Sequence, residues 1–154
     1  MHARVRLLIA AWFITMSVAT VGLRGREAGP LEPALQDAYS LIDAVNALRI
    51  AQGLPAYGVS STLMAVAQAQ AEYMASTSNI THTGPDGSRP YQRGLAAGYP
   101  LAGQIPPGFY SENIIASPGM SPQEAVQAWT GDAPHMNTMA SPNLQEIGAG
   151  VAVS

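Results

Sequence analysis

Residues 121–153 open with Ser121-Pro122-Gln123-Glu124 and close with Ile147-Gly148-Ala149-Gly150-Val151-Ala152-Val153, and the contrast between these two ends decides the fold class. A serine at a cap, a proline in the first turn and a glutamate three residues after the serine form a capping box, a strong helix start. Ala125, Val126 and Trp129 supply the apolar face of that helix, and Gly131 ends it. Pro134 opens a second short helix through Met139, Ser141-Pro142-Asn143 reads as a turn, and Ile147 to Val153 reads as a strand with two glycines inside it.

Upstream of this stretch the pattern is helical. Ala38, Leu41, Ile42, Val45 and Leu48 recur at helical spacing, with Asp37, Asp43, Asn46, Arg49 and Gln52 assigned to the polar side. Gly53-Leu54-Pro55 stops this helix, which is expected over 35–52. Ser60 or Ser61 caps the next one, whose face is Leu63, Val66, Ala67, Gln70, Tyr73 and Met74 and which frays near 76–79. Thr83-Gly84-Pro85-Asp86-Gly87-Ser88 is a loop, 89–97 a short helix ending at Gly98, and 100–109 a proline- and glycine-rich loop. Tyr110 to Ala116 is a short, partly β-branched run that reads as a strand. Helices first and short strands late predict an α+β domain, layered as an αβα sandwich.

The chain has 154 residues, 7 basic against 10 acidic side chains and a net charge of −3. One domain with one core fits this length. The charge speaks against a nucleic-acid partner, which needs clustered cations. The sequence contains neither lysine nor cysteine, so Schiff-base chemistry, thiol nucleophiles, thiolate metal sites and disulfides are excluded. Residues 1–19 read as a signal peptide: His2, Arg4 and Arg6 precede an uncharged stretch from Leu7 to Leu23, and Ser17-Val18-Ala19 offers a small-residue exit. The alternative is an uncleaved anchor, in which case this segment is the protein's contact with a membrane. Residues 20–34 read as a linker and 35–154 as the folded domain, which either reading places outside the cytoplasmic membrane.

Carboxylate, imidazole, hydroxyl and metal chemistry remain. Beyond His2, the imidazoles are His82 and His135, each beside turn residues, so each reads either as a metal ligand or as a solvated loop side chain. Glu112 is the sole charged residue between Arg93 and Glu124. It is either exposed or buried, and burial would demand a cation, a metal or several donors. Asp132 lies three residues before His135 and suits the cap of the helix that Pro134 opens. There is no Gly-x-Ser-x-Gly elbow to support a serine triad, and no His-Glu-x-x-His. Tyr39, Tyr73, Tyr91, Tyr99 and Tyr110 read as core and rim.

Together these segments resemble the CAP superfamily, also called SCP-like, over about residues 40–151. The resemblance is carried by Asn46-Ala47-Leu48-Arg49 through Gly53-Leu54-Pro55; by Leu63 to Met74; by His82-Thr83-Gly84-Pro85-Asp86-Gly87-Ser88 with Arg93 and Gly98-Tyr99; by Ser111-Glu112-Asn113-Ile114; by Trp129 with His135 and Asn137; and by Ile147-Gly148-Ala149-Gly150. It implies a three-layer αβα sandwich of the bacterial, cysteine-free type, with a cleft gathering His82, His135 and Glu112, and Asp132 as the second acid. It also implies a divalent metal such as zinc on the two histidines, and an extracellular ligand such as a lipid, a sterol or a cell-wall component. Two alternatives accompany this binding role: a zinc-dependent hydrolase with Glu112 as general base, and a structural surface module with a vestigial cleft. The sequence departs from the family pattern at Ser111, where the family has glycine, and at Gly131-Asp132-Ala133-Pro134. It stops at Ser154, where family members continue into a further strand, so the sheet is expected to lack its final strand and to be weakened.

Overall fold

A computed structural model of the chain describes residues 5–9, 32–100 and 110–153. The remainder of the segment read as leader and linker, and the loop at 101–109, lie outside the described residues. The elements in chain order are β1 (Val5–Ile9), α1 (Pro33–Ala51), β2 (Gly58–Val59), α2 (Ser61–Thr77), α3 (Pro90–Ala96), β3 (Ser117–Pro118), α4 (Pro122–Trp129), α5 (Ala133–Met139), β4 (Glu146–Ile147) and β5 (Gly150–Val153). The α+β, layered αβα expectation holds. Strand β1 sits between β3 and β5 and pairs antiparallel with both, in register Arg6 to Ser117 and Leu7 to Ala152. A second, parallel ladder joins β2 to β4.

The two faces of β5 show the layers. Val151 belongs to the main core with Leu41, Ile42 and Val45 of α1, Val126 and Trp129 of α4, and Met139 of α5. Its neighbour Ala152 packs on the opposite side with Ala71 and Met74 of α2. That alternation is the period of a strand covered on both faces. Helix α2 starts as expected, the Ser60 hydroxyl accepting from the Leu63 N–H. Helix α4 closes its capping box, the Ser121 N–H donating to Glu124 at 2.7 Å. Helix α5 is capped by Asp132.

Three expectations need correction. First, 110–116 is not a strand: the paired residues are Ser117 and Pro118. The segment is instead tied down through side chains and single carbonyls, the Trp129 indole N–H donating to the Ile114 carbonyl at 3.3 Å. Second, 147–153 is not one strand but two, in different sheets. Gly148 explains the break. It lies against the first turn of α2 so closely that an added Cβ would meet the Leu63 carbonyl carbon at 2.1 Å and the Met64 nitrogen at 2.3 Å. The chain turns from one sheet to the other where only a residue without a side chain fits.

Third, Arg49 is not on a solvated face; it is 1% exposed. Its Nε donates to the Pro55 carbonyl at 2.8 Å, and its Nη1 donates to the Met139 and Ser141 carbonyls, both at 2.9 Å. The guanidinium lies 3.5 Å over the centre of the Tyr57 ring. Burial pushes the Tyr57 hydroxyl up in pKa, and the positive charge of Arg49 opposes that shift.

Two stability outcomes follow. Gly148→Ala is expected to lose at least about 3 kcal/mol, because the obstructing atoms are helix backbone and cannot rotate away; a urea unfolding midpoint within error of wild type would contradict this. Arg49→Met keeps the length and the apolar stem but strands three carbonyls, so a loss of about 3 kcal/mol or more is expected in the same measurement.

Candidate functional site

Glu112 is buried to 13% side-chain exposure, and the partner that such burial demands is Arg93, itself 11% exposed. The Arg93 Nη2 donates to Glu112 Oε2 at 2.5 Å. The other carboxylate oxygen, Oε1, lies 2.8 Å from His82 Nδ1. Arg93 also reaches the backbone of the histidine loop, its Nη1 donating to the His82 carbonyl at 2.9 Å and to the Ser88 carbonyl at 3.1 Å. Arg93 comes from the middle of α3, a helix whose start is held by the Arg89 N–H donating to the Gln92 side chain at 2.7 Å.

The second histidine is mounted differently. His135 stands in the first turn of α5, where Asp132 Oδ1 accepts from its backbone N–H at 3.0 Å and Oδ2 lies 2.7 Å from its Nδ1. These two contacts, the backbone one first, hold the Asp132 carboxyl below the usual carboxylate range. Because the folded value is the lower one, this contribution to stability is present at neutral pH and is lost as the pH falls through that value. The His135 ring stacks on Trp129 with centroids 6.3 Å apart. Its carbonyl accepts from the Asn113 side chain at 3.0 Å.

The four residues singled out from the sequence are therefore brought together as two imidazole–carboxylate pairs, His82 with Glu112 and His135 with Asp132, attached through the adjacent residues Glu112 and Asn113. Among the described residues no group of three or more histidine, aspartate or glutamate side chains forms a cage for a metal ion. What the arrangement offers instead is two imidazoles whose Nδ1 atoms are engaged by carboxylates. This orientation leaves each Nε2 with its lone pair, the usual second-sphere preparation of a histidine ligand. Each pair is an imidazole oriented by a carboxylate, with Nδ1 as the engaged nitrogen.

Sequence reasoning missed the role of Arg93, although a signal was there. No charged residue occurs between Arg93 and Glu112, so they are consecutive charges along the chain. It also missed Ser111, which departs from the family glycine and whose hydroxyl lies 2.6 Å from that of Thr138 on α5.

Beside Glu112 the molecule is hollow. A cavity of about 560 Å³ is walled by Leu41, Val45, Leu63, Val66, Trp129 and Met139 among others, with Glu112 and Ser111 in its lining. Tyr99 and Tyr110 line the same cavity, edge to face with centroids 6.2 Å apart. Tyr99 donates to Glu146 Oε2 at 2.6 Å. Burial, with the nearby carboxylates Glu146 and Glu112 respectively, pushes the Tyr99 and Tyr110 hydroxyls up to about 12, so both remain protonated donors at neutral pH.

Known proteins agree with this architecture. The chain is 29% identical over 126 residues to the uncharacterized protein YkwD of Bacillus subtilis, covering 79% of this chain and 46% of that protein. The chain thus spans about half the length of the curated relative it matches. Among solved structures it resembles an extracellular protein containing a SCP domain from Bacillus anthracis, with a TM-score of 0.65 at 18% identity over 80% of this chain and 44% of that one. It also resembles an outer surface protein from Borrelia burgdorferi, with a TM-score of 0.58 at 22% identity over 77% of this chain and 90% of that one. The model of the family described as CAP: Cysteine-rich secretory protein family matches residues 42–154, from the middle of α1 through β5, and the chain belongs to that family.

Proposed function

We propose that this chain is an extracellular binding domain that takes an amphiphilic ligand, such as a lipid or a lipid-bearing cell-surface component, with its apolar part in the cavity beside Glu112. The observation that carries this reading is the cavity itself. Its volume, about 560 Å³, falls within the roughly 300–1,000 Å³ usual for small-molecule sites. Its wall is mostly aliphatic and aromatic, and its polar groups, Ser111, Glu112, Thr138 and the Tyr99–Glu146 pair, suit a ligand with one polar end. An extracellular setting is supported by the solved neighbours, which are described as an outer surface protein and an extracellular protein. Among the described residues no helix is long and apolar enough to cross a membrane.

His82 and His135 are the residues that would hold a divalent ion, zinc being the one expected, through their two Nε2 atoms with water completing the shell. A bound ion there would supply a positive charge for the polar end of a ligand. The hydrolase alternative, with Glu112 as general base, gains no support from this geometry. Each oxygen of Glu112 already holds a partner, His82 on one and Arg93 on the other, so what the geometry shows this carboxylate doing is orienting the histidine and neutralising the arginine.

Two measurements test the proposal. Ala67→Phe fills the cavity from α2 and is expected to weaken binding of a fluorescent fatty acid at least about tenfold while circular dichroism stays native. Glu112→Gln is expected to change that binding less than about twofold; equal affinity in wild type and Ala67→Phe would overturn the reading. For the metal, the His82→Ala, His135→Ala double variant, purified without chelator, is expected to carry less than about a tenth of the wild-type zinc. Equal zinc in both would remove the two-histidine site.

A further inference from the structure

Gln70 is 1% exposed on α2, yet its side chain is not paired as a buried amide normally is. Its Nε2 donates to the Thr81 carbonyl at 2.7 Å and to the Thr83 carbonyl at 3.2 Å. Its Oε1 is buried and accepts from no group among the described residues. The two carbonyl partners fix which end of the amide is nitrogen, since a flipped amide would set oxygen against oxygen. Between Thr81 and Thr83 lies His82, and its carbonyl is the one taken by Arg93. Three successive carbonyls are thus held by two side chains from two different helices.

We propose that Gln70 is a positioning residue for His82: its amide grips the backbone on both sides of the histidine and, with Arg93, aims the imidazole at Glu112. The ring needs such help. It is 51% exposed, so packing does not orient it, and its Nδ1 contact with Glu112 depends on where the backbone puts its Cα. The loop continues the same design. The Thr83 N–H donates to the Thr81 hydroxyl at 3.0 Å, and the Gly84 N–H donates to the Ser88 carbonyl at 2.8 Å. A methionine at position 70 would fill the same volume without leaving a buried oxygen unpaired. The glutamine is therefore explained by its two N–H groups and not by packing. His135, mounted by Asp132 on α5, receives nothing from Gln70 and acts as an internal control.

The inference concerns the geometry of the imidazole, so it stands or falls separately from the binding of zinc or a lipid. Its test is the ¹⁵N spectrum of the histidine rings in the metal-free protein, at a pH where both imidazoles are neutral. In wild type, His82 and His135 are each expected as a single tautomer with the proton on Nδ1. In Gln70→Met, the His82 nitrogen shifts are expected to converge toward a mixture of tautomers while those of His135 stay in place. An unchanged His82 pattern in the folded variant, or equal movement of both histidines, overturns the proposal. Should Gln70→Met fail to fold, the wild type decides alone. Couplings across the hydrogen bonds from the Gln70 side-chain nitrogen to the Thr81 and Thr83 carbonyl carbons support the proposal, and their absence overturns it.

Discussion

Guanidinium groups bonded to main-chain carbonyls hold this domain together at the places where regular structure gives out. The strands are short, several segments have no ladder partners, and the sequence has no cysteine with which to cross-link them. An unpaired buried carbonyl is unfavourable, and a charge-assisted donor is among the stronger remedies. Arg49 serves one end of the core, gathering the exit of α1, the end of α5 and the turn beyond it. Arg93 serves the other, linking the His82 loop to Glu112. The planar fork of arginine reaches several acceptors at once, which suits it to this work better than the point charge of lysine, a residue the chain does not contain.

The same economy shapes the site. Glu112 serves two partners at once: it neutralises Arg93 and orients His82. Asp132 likewise caps a helix and orients His135 with one carboxylate. Each imidazole therefore inherits its orientation from an interaction that the fold already requires. A change to either acid would be felt both in local stability and in the readiness of the ring to donate through Nε2. This coupling ties the orientation of both histidines to the stability of the fold. It also places the polar chemistry at the border of an apolar hollow whose wall Glu112 shares.

Helices were legible in the sequence because their signals are local. The capping box at Ser121 and Glu124, the stop at Gly53-Leu54-Pro55 and the opening at Pro134 each act within a turn or two, and α1 to α5 begin and end within a few residues of where those signals place them. The strands were not, because pairing depends on partners far along the chain. Tyr110 to Ala116 has the composition of a strand, yet the tertiary structure pairs only Ser117 and Pro118. The split of 147–153 depends on Leu63 and Met64, more than eighty residues upstream, and no local reading of Gly148 could name them. Arg49 was misplaced for a similar reason. A charged residue one step off an apolar stripe is normally solvated, and its acceptors are carbonyls, which every residue carries and no sequence pattern marks.

Among the described residues, the edge of β5 turned away from β1 is closed by a helix and not by another strand. Its Val151 N–H donates to the Gln68 side chain at 3.0 Å, and the N–H of Ala149, just before it, donates to the Met64 sulfur at 3.2 Å; both acceptors belong to α2. A bare margin of this kind invites another polypeptide to add itself, which is how native sheets polymerise into fibrils. Here the template is occupied in advance by two side chains of the same molecule. One of them is a thioether: converting Met64 to its sulfoxide would replace a soft acceptor by a bulkier polar one inside the core. Oxidation of that single atom would therefore disturb the packing of the approach to β5 while Gln68 still holds the strand itself.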